Sequence, residues 1–183
     1  MEKLPSDLYY HNIDHTILVF EAVEWLCTEE QVSQEDMYLL KIAALFHDVG
    51  FIESYDQHEE KSCLIAEKIL SKYKLADQQI ECICQLITAT KLPHCPVTFE
   101  EKIICDADLN YLGGNDFFKI GDRLRKELIH YGKIDKEDIT WNKIQHAFLT
   151  SHTFHTQTSQ IHKEPVKQIY IKQISEKIKK AES

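Results

Sequence analysis

The sequence predicts an all-α protein, and two features of the 183-residue chain support this fold class. Apolar residues recur at the three-to-four-residue spacing of helices through most of the chain, whereas the alternating pattern of strands is scarce. Helix-capping residues and glycine or proline breaks divide this pattern into segments of helical length. We expect a helical bundle over residues 1–134 and a C-terminal helical extension over residues 135–183 that packs on the same domain.

Capping and breaking residues set the limits of the expected helices. Ser33 caps the second helix, which Gly50 ends. Thr98 and Glu101 form a capping box for the fifth helix, which stops at a Gly-Gly pair. We expect six helices in the bundle and two in the extension, over residues 6–29, 34–48, 58–73, 77–90, 98–113, 115–132, 136–151 and 164–181.

Charge and cysteine content limit the functional classes. The formal net charge of −9 argues against a protein that binds long nucleic acids, because clustered Lys and Arg hold phosphate backbones. The six cysteines form no repeated C-x-x-C pattern, so we expect reduced thiols in a cytoplasmic protein. A sulfur-ligand site formed by Cys82, Cys84 and Cys95 is the alternative. No apolar run approaches the ~18 residues of a membrane span, so we expect no membrane association.

Histidines and aspartates in three separate segments have the residue types of a mixed imidazole and carboxylate metal site. These are the pair His11 and His15, the adjacent His47 and Asp48, and Asp108. Two histidines and two aspartates can hold one divalent cation and leave coordination positions for water and a substrate oxygen. The pattern therefore predicts metal-assisted hydrolysis.

Each of these residues also has a structural interpretation. His11 and His15 lie four residues apart, so on a helix they share a face, and its apolar neighbours are typical of a core histidine. Asp48 closes an apolar helix, where it is either bound to a partner or exposed at the helix end. Asp108 shares an apolar helix face, whereas Asp106 is expected on a more polar face nearer solvent. We therefore prefer Asp108 as a ligand and assign Asp106 a supporting or surface role.

Three elements, in this order, resemble a known family. The segments YHNIDH (10–15), FHDVG (46–50) and DADLNYLG (106–113) resemble the H…HD…D pattern of the HD superfamily of metal-dependent phosphohydrolases. The runs HEEKS from His58 and ITATK ending at Lys91 resemble landmarks of one uncharacterised bacterial branch. The resemblance covers about residues 8–132.

The resemblance implies an HD-domain-like, all-helical bundle with one divalent metal ion held by four residues, namely His15, His47, Asp48 and Asp108. Manganese, iron, nickel, cobalt, zinc and magnesium all occur in the superfamily, and the ligand set does not choose among them. We expect one metal rather than two, because Thr88, Thr90 and Lys91 stand where a second metal would need histidines.

His11 and Asp48 are the expected catalytic residues. The start of the chain resembles cyclic-nucleotide phosphodiesterases, in which the first histidine of a Y-H-N-x-x-H element protonates the leaving oxygen, so His11 is the candidate general acid. Its alternative role is a hydrogen bond to a neighbouring helix. His58, Lys91 and Asp106 are expected to contact the substrate or support the ligands: His58 by orienting water or phosphate, Lys91 as a point charge.

The leading functional hypothesis is hydrolysis of a small phosphate ester or nucleotide, a phosphomonoester or phosphodiester, by a metal-bound hydroxide. Two alternatives remain open. One is a metal-stabilised sensor or interaction module that turns over no substrate. The other is a di-iron HD-type oxygenase, which needs further ligands such as His58 and His94.

Overall fold

The computed structural model of the chain describes residues 4–182, and helices make up most of this range. The described range contains nine α-helices and no β-strand, which confirms the all-α fold class that the helical periodicity predicts. The helices are α1 Ile13–Glu29, α2 Gln34–Phe46, α3 His58–Leu70, α4 Asp77–Ala89, α5 Phe99–Asp108, α6 Phe117–His130, α7 Asp138–Ser151, α8 Gln157–His162 and α9 Glu164–Glu182. Short 3-10 turns occur at Val49–Ile52, Ser71–Tyr73 and Asn110–Gly113. No helix within residues 4–182 is both long enough and apolar enough to cross a membrane.

The chain divides into two compact units, Met1–Leu109 and Asn110–Ser183. The first unit contains α1 to α5, and the second contains α6 to α9. The division falls directly after α5, the helix that carries Asp106 and Asp108. The domain boundary expected after residue 134 stays a prediction.

The core of the first unit is formed by apolar residues of α1 to α5. α1 packs against α2 and α5, and α2 packs against α4. Burying a Leu or Ile side chain contributes about 1.5–3 kcal/mol, so these contacts hold the ends of the helices in fixed relative positions. The fully buried residues of this core are Val23, Leu26, Cys27, Leu40, Ala43, Ala44, Ala66, Ile83, Ile87, Ile103 and Ile104.

α1 begins later than expected, because Asn12 caps it. The Asn12 side chain accepts hydrogen bonds from the backbone N–H groups of Asp14 and His15, at 2.9 and 3.3 Å. Asparagine is among the most favourable residues at this position, since its side chain satisfies N–H groups that the first turn leaves open. His11 therefore lies in the segment before α1, and the expectation that His11 and His15 share a helix face is wrong.

The caps predicted at Ser33 and at Thr98 are both confirmed. The Ser33 hydroxyl accepts from the backbone N–H of Asp36 at the start of α2. At the start of α5, the Thr98 hydroxyl accepts from the Glu101 N–H, and the Glu101 carboxylate accepts from the Thr98 N–H. α2, however, ends at Phe46, so His47 is its C-cap and Asp48 begins a tight turn.

In the second unit, α9 packs against α7 and α8. Lys167 of α9 is only 1% exposed, and its ammonium donates to the His152 carbonyl oxygen and pairs with Glu164 at 2.9 Å. The Tyr170 hydroxyl donates to the Gly114 carbonyl oxygen at 2.8 Å. These contacts tie α9 to the segments before α6 and after α7.

Candidate metal centre

Two buried histidines meet where α1 packs against α2. His15 lies in the first turn of α1 and His47 at the end of α2. Their Nε2 atoms are 3.2 Å apart, and the His47 side chain is 1% exposed. The packing of the two helices therefore directs one ring nitrogen of each histidine to the same point.

A backbone hydrogen bond determines which nitrogen of His47 is available. His47 Nδ1 lies 2.8 Å from the Ala44 carbonyl oxygen. A carbonyl only accepts, so Nδ1 carries the proton and the neutral ring presents a lone pair at Nε2. Metal-binding histidines commonly have this second contact, which fixes the ring and its tautomer.

Two carboxylates complete the four-residue cluster formed by His15, His47, Asp48 and Asp108. Asp48, in the turn after α2, has Oδ2 3.4 Å from His15 Nε2 and 3.2 Å from His47 Nε2. Asp108, the last residue of α5, has Oδ1 3.1 and 3.6 Å from the same two nitrogens. One oxygen of each carboxylate thus faces both imidazoles.

The geometry of the four-residue cluster fits a divalent cation. Ligand atoms about 2.1 Å from a shared ion lie about 3.0–3.4 Å apart when adjacent, close to the distances seen here. The Asp48 Oδ2 atom is buried and has no hydrogen-bond partner among the described residues. Two imidazole nitrogens and carboxylate oxygens suit first-row divalent metals. The ligand atoms of His15, His47 and Asp48 lie within 4.8 Å of one another, and this is the single potential metal-binding group found over residues 4–182.

The pKa shifts show that the four-residue cluster favours added positive charge. Burial acts to lower the pKa of His47, but the carboxylates of Asp48 and Asp108 outweigh it and raise that pKa well above its usual value. Burial acts to raise the pKa values of Asp48 and Asp108, but the neighbouring imidazoles hold both below their usual range. A proton on His47 or a bound cation supplies the charge that the two carboxylates require.

Ser62 of α3 holds the turn that carries His47 and Asp48. Its buried hydroxyl donates to the His47 carbonyl oxygen at 2.7 Å and accepts from the Gly50 N–H at 2.8 Å. Gly50 packs so closely on α3 that a Cβ there would lie 2.0 Å from the His58 carbonyl oxygen. Ser62 belongs to the HEEKS run, but a serine inside a helix has no sequence pattern that identifies this role.

His11 and His58 lie beside the four-residue cluster, and the ring of each stacks on the ring of Phe51. The His11 and Phe51 rings stack at 4.4 Å, and the Phe51 and His58 rings at 4.0 Å. The His11 ring centre is 6.0 Å from that of His15. His58 Nε2 lies 3.5 Å from Asp48 Oδ1 and 3.5 Å from the buried Glu59 carboxylate. Burial lowers the pKa of His58 despite these two carboxylates, so the ring is neutral near pH 7. Phe51 and Glu59 are site neighbours that the sequence interpretation did not single out.

Lys91 lies in a different part of the first unit. It lines a cavity of about 1170 Å³ between α3, α4 and the loop after α4, here called the α3–α4 groove. Its ammonium pairs with Glu60 at 3.0 Å, and both side chains are about half exposed. None of the four cluster residues lines the α3–α4 groove. The proposed contact of Lys91 with a phosphate stays a prediction.

The expectation that Asp106 lies near solvent is wrong. Asp106 is 1% exposed, whereas the Asp108 side chain is 14% exposed. The reason is that α5 is buried on every side along Ile103–Ala107, so its more polar face is also covered. When every face of a helix is covered, a difference in polarity between its faces does not indicate which face is exposed to solvent.

The sequence model of the HD domain family matches residues 12–109. This span covers more than half of the chain, contains all four cluster residues and ends where the first compact unit ends. The chain belongs to the HD domain family. HD domains bind divalent metals and are generally metal-dependent phosphohydrolases. Neither the curated proteins nor the solved structures include a significant match to the chain.

Proposed function

We propose that this HD domain protein is a phosphohydrolase that uses one divalent metal ion to hydrolyse a small phosphate ester or nucleotide. The observation that supports this most is the approach of two buried imidazole nitrogens to the carboxylate oxygens of Asp48 and Asp108, at 3.1–3.6 Å. Membership of the HD family supports the reaction class. The substrate is proposed to be a phosphomonoester or a phosphodiester.

His15, His47, Asp48 and Asp108 are the proposed metal ligands. A divalent ion bound there would polarise a phosphoryl oxygen and lower the pKa of a water molecule, so that water becomes a nucleophile near neutral pH. His47 contributes a fixed lone pair, because the Ala44 carbonyl holds its other nitrogen. Ser62 keeps the turn of His47 and Asp48 in position for binding.

His11 is the proposed proton donor to the leaving oxygen. Its ring is half-buried and stacked on Phe51, so it has a defined orientation beside the four-residue cluster. His58 is the proposed residue for orienting water or a phosphate oxygen, since its neutral ring lies next to the Asp48 carboxylate. Both roles require protons at ring nitrogens, which imidazoles can exchange near neutral pH.

A small substrate is proposed because the protein carries a negative net charge. The net charge of −9 disfavours binding along a polyanion, which depends on many Lys and Arg contacts to phosphates. A metal ion can supply the attraction for a single phosphate group. We also propose a cytoplasmic location, supported by six cysteines that are all free thiols.

The test is phosphate release from a panel of nucleotides, sugar phosphates and aryl phosphodiesters with Mn²⁺, Co²⁺ or Ni²⁺. We expect metal-dependent turnover of at least one substrate, and its loss in the His47→Ala and Asp48→Ala variants. His162→Ala, at an exposed position in α8, is the matched control and should keep full activity. Activity that survives in both cluster variants would contradict the proposal. Metal binding without turnover of any substrate would favour a sensor instead.

A further inference from the structure

Each of the two cluster carboxylates has a further imidazole beside its other oxygen. Asp48 turns Oδ2 toward His15 and His47, and its Oδ1 lies 3.5 Å from His58 Nε2. Asp108 turns Oδ1 toward the same pair, and its Oδ2 lies 3.8 Å from His94 Nε2. His94 belongs to the loop after α4, and its side chain is only 4% exposed.

The backbone fixes the proton of His94 on the nitrogen that faces Asp108. His94 Nε2 lies 3.1 Å from the Thr90 carbonyl oxygen, which only accepts, so Nε2 carries the hydrogen. Thr90 is itself fixed at the C-cap of α4, where its buried hydroxyl donates to the Ile87 carbonyl oxygen at 2.7 Å. Asp108 Oδ2 therefore lies near a ring nitrogen that carries a hydrogen rather than a lone pair. At 3.8 Å this contact is too long for a hydrogen bond and acts electrostatically.

Packing alone does not account for a histidine at this position. His94 Nδ1 is buried, and no residue within 4–182 forms a hydrogen bond with it. An unsatisfied buried acceptor destabilises the folded state, and an apolar side chain of similar volume would avoid it. An apolar residue would lack the Nε2–H group, which lies near both the Thr90 carbonyl and the Asp108 carboxylate.

We propose that His94 is a positioning residue for the Asp108 carboxylate. A carboxylate rotates readily about its last side-chain bond, and either oxygen can then face the two cluster imidazoles. The His94 N–H stabilises the orientation in which Oδ2 faces His94 and Oδ1 faces His15 and His47. His94 thus prepares the cation site without binding the cation. This inference rests on the proposed function, since the orientation of Asp108 matters only where the four-residue cluster binds a metal ion.

The test compares three proteins with the same loop and different groups at residue 94. His94→Gln offers an amide N–H at about the position of Nε2, whereas His94→Leu fills a similar volume without a donor. Co²⁺ affinity is measured by calorimetry on the metal-free protein, and the melting temperature is measured in excess chelator. We expect His94→Leu to bind Co²⁺ about 10–100-fold more weakly, as for other residues that orient metal ligands. We expect His94→Gln to bind within a few-fold of the native chain, and neither variant to melt lower than the native chain in chelator.

Three results would overturn the proposal. The first is equal Co²⁺ affinity of His94→Leu and the native chain. The second is equal weakening by His94→Gln and His94→Leu, because a role for the N–H predicts rescue by glutamine. The third is two bound ions per chain with one lost in His94→Leu, which would make His94 a ligand. Should His94→Leu fail to fold, His94→Met provides the second apolar variant.

The same measurements separate this inference from the proposed function. If the native chain binds no divalent cation, both fail together. If the native chain binds one cation and hydrolyses phosphate esters, and residue 94 has no effect on affinity, only the role of His94 fails.

Discussion

Two regions of the first unit are rich in carboxylates, and they differ in their exposure to water. In the four-residue cluster, the two imidazoles and Asp48 are buried, the Asp108 side chain is 14% exposed, and imidazole nitrogens and carboxylate oxygens approach to 3.1–3.6 Å. In the α3–α4 groove, five carboxylates and one lysine line a cavity of about 1170 Å³. The ion pair of that groove, between Lys91 and Glu60, is about half exposed on both sides.

The difference shows that burial identifies the candidate site better than cavity size does. Carboxylates in the α3–α4 groove are solvated, so their mutual repulsion is screened and their exposed ion pair contributes little. The buried carboxylates of the four-residue cluster have lost that solvation and must be compensated by positive charge. The cluster therefore requires nearby positive charge, from a proton on His47 or from a cation, whereas the groove has no such requirement.

The largest effect is expected for Asp48→Asn, which keeps the shape of the side chain and removes its charge. Loss of the metal's charge stabilisation, several kcal/mol, lowers kcat/KM for phosphate release by about 10³-fold or more. Bound metal, measured by elemental analysis, should fall in parallel. The matched change in the α3–α4 groove, Glu60→Gln, removes the same charge and should leave both quantities unchanged. A loss of equal size in Glu60→Gln would erase the distinction between the two regions.

The next effect concerns metal addition to the native chain. Mn²⁺ or Co²⁺ at a hundred times its dissociation constant should raise the free energy of unfolding by about 2.7 kcal/mol, because the ion binds the folded state. In a protein of this size this corresponds to a rise in melting temperature of roughly 5–10 °C. Chelator should reverse the shift, and His15→Ala should abolish it. An equal shift in His15→Ala would mean that the ion binds elsewhere, the acidic α3–α4 groove being the first place to examine.

Ser62→Ala should have a smaller effect, through the turn of His47 and Asp48. The variant leaves the buried His47 carbonyl and Gly50 N–H without their partner, which costs about 1–3 kcal/mol of stability. We also expect metal affinity to fall by about 10–100-fold, as is usual when support for a ligand is removed. The control is Ser71→Ala, at the residue that directly follows α3. It removes an exposed hydroxyl that donates to the Lys68 carbonyl oxygen. Normal metal affinity in a destabilised Ser62→Ala protein would restrict Ser62 to a structural role.

The contrast between the two regions also explains how far the sequence interpretation could reach. The all-α fold, the Ser33 cap and the Thr98–Glu101 capping box follow from local patterns and are confirmed. The resemblance to the HD superfamily agrees with the family match, because its H…HD…D elements are short and occur in a fixed order.

Other features depend on contacts distant in sequence, and no local pattern contains them. Ser62 contacts a turn twelve or more residues earlier, and His94 lies near a carboxylate on the next helix. The burial of Asp106 depends on what surrounds α5, which periodicity within that helix does not show. The start of α1 is an error of a different kind, because it is local: the apolar pattern extends toward the N-terminus beyond Asn12, whereas the Asn12 cap itself is visible in the sequence.

The smallest effect is expected for Lys91→Ala. This variant tests whether the α3–α4 groove takes part in the reaction. The Lys91–Glu60 pair is exposed, so its loss should leave the melting temperature unchanged within error. The kinetic result carries more information. If the α3–α4 groove takes no part in the reaction, KM and kcat remain those of the native chain. A several-fold rise in KM with unchanged kcat would mean that the Lys91 ammonium leaves Glu60 to bind a substrate phosphate. The α3–α4 groove would then be the substrate's binding surface beside a metal centre that performs the chemistry.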